Sequence, residues 1–245
     1  MKKMKNNIRQ LTTIGFLGGI CIVLGLTPLG LIPIGVINAT TMHIPVLLAG
    51  ITSGPFVGGA VGLIFGLYSL ANAYMRPTIT SFVFWNPLVS VLPRILLGVI
   101  AGYLYLYFKK RKKPFSKYIS IAIWAIMILF LIYRLWDAVQ KDAGILTTIL
   151  LLIASVILLV WNVKLKDQNP EVLFTTMFTS LAHTVMVLGS IYLFYGARYM
   201  EAIGQPAESA LSALTAIGIT NGIPEMVVAT IIIPPIAAAY EKWKK

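Results

Sequence analysis

Long, uninterrupted apolar runs limit the possible folds of this chain more than any other feature. The runs at residues 87–108 and 172–195 each have about the 20 residues that a helix needs to cross a bilayer. Only helices and closed barrels satisfy their backbone hydrogen bonds in lipid, and these runs are continuous rather than alternating. Only 11% of the residues are charged, against about a quarter in soluble domains. The sequence therefore predicts an all-α integral membrane protein.

The apolar runs predict about eight membrane spans. They cover residues 8–26, 39–51, 56–73, 87–108, 118–138, 143–163, 172–195 and 210–240. Polar connections are predicted at 72–86 and 196–209, and a Pro- and Gly-rich interruption at 27–35. The last run is longer than one span needs and contains three prolines, which predicts a break rather than one straight helix.

Basic residues lie mainly in alternate connections. The N-terminus, residues 109–117, residues 164–166 and the C-terminal tail hold 15 of the 20 Lys and Arg residues. This positive-inside pattern places both termini in the cytoplasm and the 72–86 and 196–209 connections outside. It also accounts for the net charge of +12 without a nucleic-acid partner. The single Cys21 allows neither an internal disulfide nor a cysteine metal site.

The most unusual residue is Arg94, which lies a few residues inside an apolar run. A cation within a membrane helix is costly and usually faces a partner, a cavity or water. Glu225, which follows Pro224, is a second ionisable group within a span. Two interpretations stay open. In the first, Arg94 and Glu225 form a structural salt bridge. In the second, the Arg94 guanidinium binds a substrate carboxylate or phosphate, and Glu225 orients Arg94 or accepts hydrogen bonds from the substrate.

The two histidines and one aromatic cluster are further candidates. His43 and His183 lie on different predicted helices, which makes a poor metal site without other ligands. A hydrogen-bonded structural role is favoured for both, and a ligand contact is the alternative for His43, which follows Asn38 closely. The aromatic cluster at 82–85, which includes Trp85, either belongs to the interfacial belt or covers an outward-facing pocket.

Glycines recur every fourth residue at three places in the chain. Such strips allow another helix to approach closely in lipid, either from this chain or from a separate membrane subunit. The strips are Gly15 and Gly19, then Gly54, Gly58, Gly62 and Gly66, then Gly98 and Gly102.

Motifs for enzymatic chemistry are absent from the sequence. It contains no phosphate-binding P-loop, no His-Glu-x-x-His and no Gly-x-Ser-x-Gly, so the chain is expected to be no enzyme and to carry no cofactor or metal. A self-sufficient secondary transporter for a small anionic metabolite is an alternative function. Internal repeats would favour it, and none is found.

Several segments together resemble the substrate-binding (S) components of energy-coupling factor (ECF) vitamin transporters. The resemblance covers about residues 1–110 and 170–245. Its segments are TPLGLIPIG at 27–35, NATTMHIP at 38–45, SGPFVGG at 53–59, TSFVF at 80–84 with Asn86 and Pro87, LPR at 92–94, TNGIPE at 220–225 and the Pro234–Pro235 pair.

The resemblance implies a six-helix fold in which different parts of the chain dock on a partner and bind the vitamin. The first three helices dock on a transmembrane coupling subunit driven by two ABC-type ATPase subunits, and the later helices and outer connections hold the vitamin. The S component topples in the membrane to release it. The glycines expected at the docking face are Gly15, Gly19, Gly54, Gly58, Gly62 and Gly66. The residues expected to bind substrate are Arg94, Asn38, His43, Asn86, Asn221, Glu225 and Trp85.

The chain departs from this family at an extra apolar hairpin, residues 118–163. We therefore expect three parts: residues 1–110 with the docking face, 111–166 with the inserted hairpin, and 167–245 completing the site. The expected location is a bacterial plasma membrane. Pantothenate is the first choice of vitamin because Arg94 suits an anionic ligand with nearby Asn and Thr, whereas folate, riboflavin and cobalamin precursors stay open.

Overall fold

The computed structural model describes residues 2–34, 37–110, 113–141, 145–164 and 169–244. Within these ranges the chain forms nine α-helices and one two-stranded hairpin. Short 3-10 turns lie at Pro28–Gly30, Ser81–Trp85 and Ala207–Ser209. The helices are α1 Lys2–Leu26, α2 His43–Ser53, α3 Pro55–Met75, α4 Pro87–Ser90, α5 Leu92–Lys109, α6 Lys113–Lys141, α7 Ile145–Lys164, α8 Pro170–Ala202 and α9 Ala210–Lys244, and the strands are β1 Leu31–Ile34 and β2 Ile37–Thr40.

The helices confirm the predicted all-α membrane protein. Six segments of the described chain are long and apolar enough to cross a bilayer: Asn7–Leu26, Pro55–Met75, Pro87–Lys109, Tyr118–Gln140, Pro170–Ala202 and Ala207–Trp243. Two shorter apolar segments, His43–Ser53 and Thr148–Val160, correspond to the second and sixth predicted spans. With 11 residues, α2 is about 16 Å long, roughly half the hydrocarbon thickness. The turn of the inserted hairpin at Asp142 and the basic Lys166 lie outside the described residues.

A β-hairpin that sequence reasoning did not anticipate begins in the interruption predicted at 27–35 and ends at Thr40, inside the predicted second span. After the turn at Pro28–Gly30, β1 pairs antiparallel with β2, with Leu31 opposite Thr40 and Ile34 opposite Ile37. The Thr41 amide donates to the Gly30 carbonyl at 3.1 Å and closes the base of the hairpin. The hairpin leads directly into α2 and carries Thr40 to α9.

Two expectations about the C-terminal part are wrong. The last span is not broken, because α9 continues as one helix through Pro224, Pro234 and Pro235. Each proline removes one backbone donor, whereas a true break in lipid would expose several polar groups. The 196–209 connection is also shorter than expected, because α8 is 33 residues long and extends to Ala202. Arg198, which falls within the predicted connection, therefore lies on α8.

Glycines allow α3 and α5 to meet at backbone distance. A Cβ added at Gly58 or Gly98 would lie within 3 Å of backbone atoms of the other helix. Gly62 faces the Arg94 carbonyl, and Gly66 faces Val91. The expectation that Gly58, Gly62 and Gly66 dock on a separate subunit is therefore corrected, because α5 of the same chain covers them. By contrast, a Cβ added at the remaining docking candidates would meet nothing within 4 Å; these are Gly15, Gly19 and Gly54.

Buried apolar side chains form separate clusters for the core and for the hairpin of α6 and α7. The largest joins α1, α2, α3 and α5 to α8 and α9. A second joins α6 and α7 to α8 and α9 through Trp124, Leu158, Met177 and Met226. The α6–α7 hairpin therefore packs on the two C-terminal helices, and the exposed strip of α1 with Gly15 and Gly19 is not part of this contact.

The α3–α5 contact leads to a stability prediction. Gly98→Leu forces side-chain atoms into the α3 backbone, which is expected to destabilise the fold by about 1–3 kcal/mol or more. Gly19→Leu is the matched control, since a Cβ there meets nothing within 4 Å. Thermal unfolding in detergent measures both. Equal Tm values for the two variants would contradict the close packing.

Candidate functional site

A cluster of polar side chains lies buried where α2, α5, α8, α9 and the β-hairpin meet. Its members include Arg94, Glu225, His43, His183 and Ser180, and all five are buried. Buried ionisable groups are rare within membrane spans and often mark a substrate or ion pathway. Since most of the surrounding core is apolar, the cluster is the candidate functional site.

The sequence Pro93–Arg94 explains why a cation is stable at this depth. Proline has no backbone N–H, so Pro93 cannot donate to the Val89 carbonyl four residues earlier. The helix is interrupted at Val91, between α4 and α5. The Arg94 Nη1 atom donates to the Val89 carbonyl at 2.5 Å. The guanidinium therefore satisfies the acceptor that the neighbouring proline leaves open.

The rest of the Arg94 guanidinium faces aromatic rings. It lies 5.5 Å from the centroid of Phe65 and 5.6 Å from that of Phe84, within the range of cation–π attraction. Its Nε atom has no hydrogen-bond partner among the described residues. Of the two interpretations above, a direct salt bridge is not observed, because no Arg94 nitrogen lies within 4.0 Å of a Glu225 carboxylate oxygen.

Glu225 instead holds the β-hairpin against α9. Its Oε1 atom accepts hydrogen bonds from the Thr40 amide at 3.1 Å and from the Thr40 hydroxyl at 2.7 Å. Asn221 lies one turn earlier on the same face of α9 and is half-buried. The carboxylate is therefore fixed by the end of β2 and attracts Arg94 electrostatically without touching it.

The two histidines lie against each other in the cluster. Their rings stack with centroids 6.2 Å apart and an angle of 15° between planes, and His43 Nε2 lies 3.5 Å from the Ser180 hydroxyl. His43 Nδ1 and both ring nitrogens of His183 lack hydrogen-bond partners in the described part of the chain. The expected hydrogen-bonded structural role is therefore wrong for His183, which keeps its full capacity to bind a polar ligand.

Within the described residues no group of three His, Cys, Asp or Glu side chains is arranged to hold a metal ion. What the site offers is a cation on aromatic rings, imidazole nitrogens and a fixed carboxylate, a set suited to an anionic organic molecule with polar groups.

Three other predicted site residues have different surroundings. The Asn86 side chain caps α4 by accepting from the Leu88 amide at 2.9 Å. Trp85 is 43% exposed, donates to the Ala73 carbonyl at 3.2 Å and stacks on Tyr74. These contacts hold the 3-10 segment against the end of α3. Asn38 lies in β2, and its side chain lies outside the described part of the structure.

Sequence reasoning missed several members of the cluster. It did not select Phe65 or Ser180, it considered Phe84 only as part of the aromatic cluster at 82–85, and it treated His183 as structural. The pair Ser180 and His183 is spaced i, i+3 on one face of α8, and that polar pair within an apolar span is a signal that could have identified it.

The Thr40–Glu225 contact can be tested by a single substitution. Thr40→Val removes the hydroxyl donor, and the lost hydrogen bond to a charged group is expected to reduce stability by about 1.5–3 kcal/mol. Thr215→Val is the control, since that hydroxyl bonds only the Leu211 carbonyl of its own helix. Thermal unfolding in detergent measures the effect. A Thr40→Val variant as stable as the control would contradict the role of this contact.

Comparison with known proteins places the chain in a family. The family model described as "ECF transporter, substrate-specific component" matches residues 9–141. Two curated relatives each match over 83 residues. The pantothenate transporter PanT of Leuconostoc mesenteroides is 39% identical, and the match covers 32% of this chain and 39% of the relative. The pantothenic acid transporter PanT of Lactococcus lactis is 30% identical, and the match covers 28% of this chain and 42% of the relative. The match thus spans about two fifths of each relative. Since the family model covers more than half of the sequence, this chain belongs to the substrate-specific components of ECF transporters.

Proposed function

We propose that this chain is the membrane-embedded, high-affinity substrate-binding subunit of an ATP-driven vitamin uptake system, with pantothenate as its substrate. The observation that carries the proposal is Arg94, a buried cation with an unpaired Nε atom. The matched relatives are named as transporters of pantothenate or pantothenic acid, which supports the choice of vitamin.

The chemistry of pantothenate suits the polar cluster. Pantothenate has one carboxylate, two hydroxyl groups and one amide. Its carboxylate would accept from Arg94, because a guanidinium forms strong charge-assisted hydrogen bonds with carboxylates. His183, His43 and Glu225 would bind the hydroxyl and amide groups, and Phe65 and Phe84 would exclude water from the ion pair.

Uptake by such a subunit requires partners. We propose that a transmembrane coupling subunit binds the exposed face of α1 around Gly15 and Gly19, and that two ABC-type ATPases drive it. Both glycines are exposed and have open space around them, and small residues let helices meet closely in lipid. We further propose a bacterial plasma membrane with both termini in the cytoplasm, supported by the positive-inside distribution of Lys and Arg.

The ligand role of Arg94 predicts a specific loss of affinity. Arg94→Lys keeps a positive charge and a donor for the Val89 carbonyl but loses the Nε atom and the planar guanidinium group. Losing one charge-assisted hydrogen bond is worth about 1.5–3 kcal/mol, so pantothenate affinity is expected to fall by about tenfold to 150-fold in calorimetric titration. Arg76→Gln, at an exposed position after α3, is the control. Wild-type affinity in Arg94→Lys would make Arg94 structural.

A panel of vitamins tests the substrate itself. Without ATP, purified protein is expected to bind pantothenate more tightly than folate, riboflavin or a cobalamin precursor. Tighter binding of one of those vitamins would agree with the proposed class of transporter but would identify a different substrate. Uptake into proteoliposomes driven by an ion gradient alone would point instead to a secondary transporter.

His183 allows ligand binding to be separated from folding. His183→Phe keeps an aromatic ring beside His43 and Phe65 but removes two unpaired nitrogens. Replacing an unsatisfied buried polar group by an apolar one is neutral or stabilising, so the ligand-free Tm is expected to stay the same or rise while pantothenate affinity falls at least tenfold. A lower Tm with unchanged affinity would assign His183 a purely structural role.

The proposed docking face predicts a loss of assembly without a loss of binding. Gly15→Leu with Gly19→Leu is expected to abolish co-purification with the coupling subunit and leave pantothenate affinity unchanged. Gly189→Leu is the matched control, because this helical glycine on α8 also has nothing within 4 Å of an added Cβ. Normal assembly of the α1 double variant would place the docking face elsewhere.

A further inference from the structure

A long groove lies on the side of the molecule where the α6–α7 hairpin meets the C-terminal helices. Its walls are α6, α8 and α9, and its volume is about 650 Å³. Both α6 and α9 pack on α8, and the groove is the space between them. All three helices belong to the segments that are apolar and long enough to span a membrane, so the groove lies within the bilayer.

The walls are suited to a hydrocarbon chain. They are lined by side chains such as Ile126, Phe130, Val185, Leu188 and Ile223. The hydroxyl of Thr215, another lining residue, donates to the Leu211 carbonyl of its own helix at 2.6 Å. It therefore offers no free donor to the groove, and an occupant would gain mainly apolar burial.

The length of the groove matches one leaflet. Along α8 it extends from Leu181 to Tyr192, which at 1.5 Å per residue is about 17 Å. One leaflet contributes about half of the roughly 30 Å hydrocarbon core. Tyr192 marks the end of the groove nearer the α8–α9 connection, where an amphipathic aromatic suits the membrane interface.

Positive charge lies near the same end. Because α7 returns the chain between α6 and α8, these two helices start from one side of the membrane and run in the same direction. Arg134 on α6 is one helical turn beyond the lining residue Phe130 and on the same face. Arg134 already interacts within the chain, and its charge would also attract a phosphate lying at the membrane interface.

We propose that this groove is a binding site for one phospholipid, whose acyl chain lies along α8 and whose phosphate lies near Arg134 and Tyr192. Helix α6 supplies one wall, so the site depends on the hairpin that α6 forms with α7. The deep end adjoins the polar cluster, since Thr184 follows His183 and Met226 follows Glu225. The bound acyl chain therefore packs directly behind the helices that carry the candidate functional site.

Native mass spectrometry of the full chain, purified in mild detergent, tests the proposal. We expect one phospholipid retained per chain. Gly189→Phe should fill the groove, because a Cβ at this position meets nothing within 4 Å, and should reduce retention at least tenfold. Gly19→Phe, on the exposed face of α1, is the matched control and should retain the lipid as wild type does.

A second variant tests the groove independently in case Gly189→Phe does not fold. Val185→Trp, at a lining residue that is 70% exposed, narrows the groove without touching the buried core and should also reduce retention. Unchanged Tm values show that each variant is folded. The proposal is overturned if the wild-type protein retains only detergent or a free fatty acid, or if the groove variants retain as much phospholipid as the wild type. It is also overturned if the groove binds a second copy of this chain, which would be seen as a dimer that Gly189→Phe dissociates.

Discussion

The hydrogen bond from Arg94 to the Val89 carbonyl is the contact on which the candidate site depends. Pro93 removes the backbone donor that this carbonyl would otherwise have, and the guanidinium takes its place at 2.5 Å. A buried cation and a buried unpaired carbonyl are each costly, and here each reduces the cost of the other. The Nε atom of Arg94 keeps no hydrogen-bond partner among the described residues, and we propose that a ligand binds there.

The surrounding helices hold this cation in a fixed position. Gly62 of α3 allows close approach to the Arg94 carbonyl, which brings Phe65 of the same helix to the guanidinium. On the other side, Thr40 binds Glu225 and fixes the β-hairpin to α9. The proposed docking face on α1, the proposed ligand site around Arg94 and the proposed lipid groove are formed by different residues, so each can be changed separately.

Much of the architecture could be predicted from the sequence, because apolar length and charge placement determine membrane helices directly. Arg94 and Glu225 were identifiable because ionisable groups within spans are rare. The sequence pattern could not show that Gly58, Gly62 and Gly66 face α5 instead of another subunit, since spacing is the same in both cases. The β-hairpin could not be predicted because it is short and formed by local contacts. Helix α9 stays continuous because its prolines cost less free energy than a break of the helix in lipid. His183 was misjudged because its missing hydrogen bonds are visible only in three dimensions.

The proposed role of Arg94 is to bind the carboxylate of the vitamin. The most direct measurement is a structure of the protein with pantothenate bound, by crystallography or cryo-electron microscopy. We expect the pantothenate carboxylate to lie within about 3 Å of an Arg94 nitrogen, with His183 donating a hydrogen bond to the same ligand or accepting one from it. Pantothenate bound elsewhere, with Arg94 still contacting only the Val89 carbonyl and the two phenylalanine rings, would contradict it.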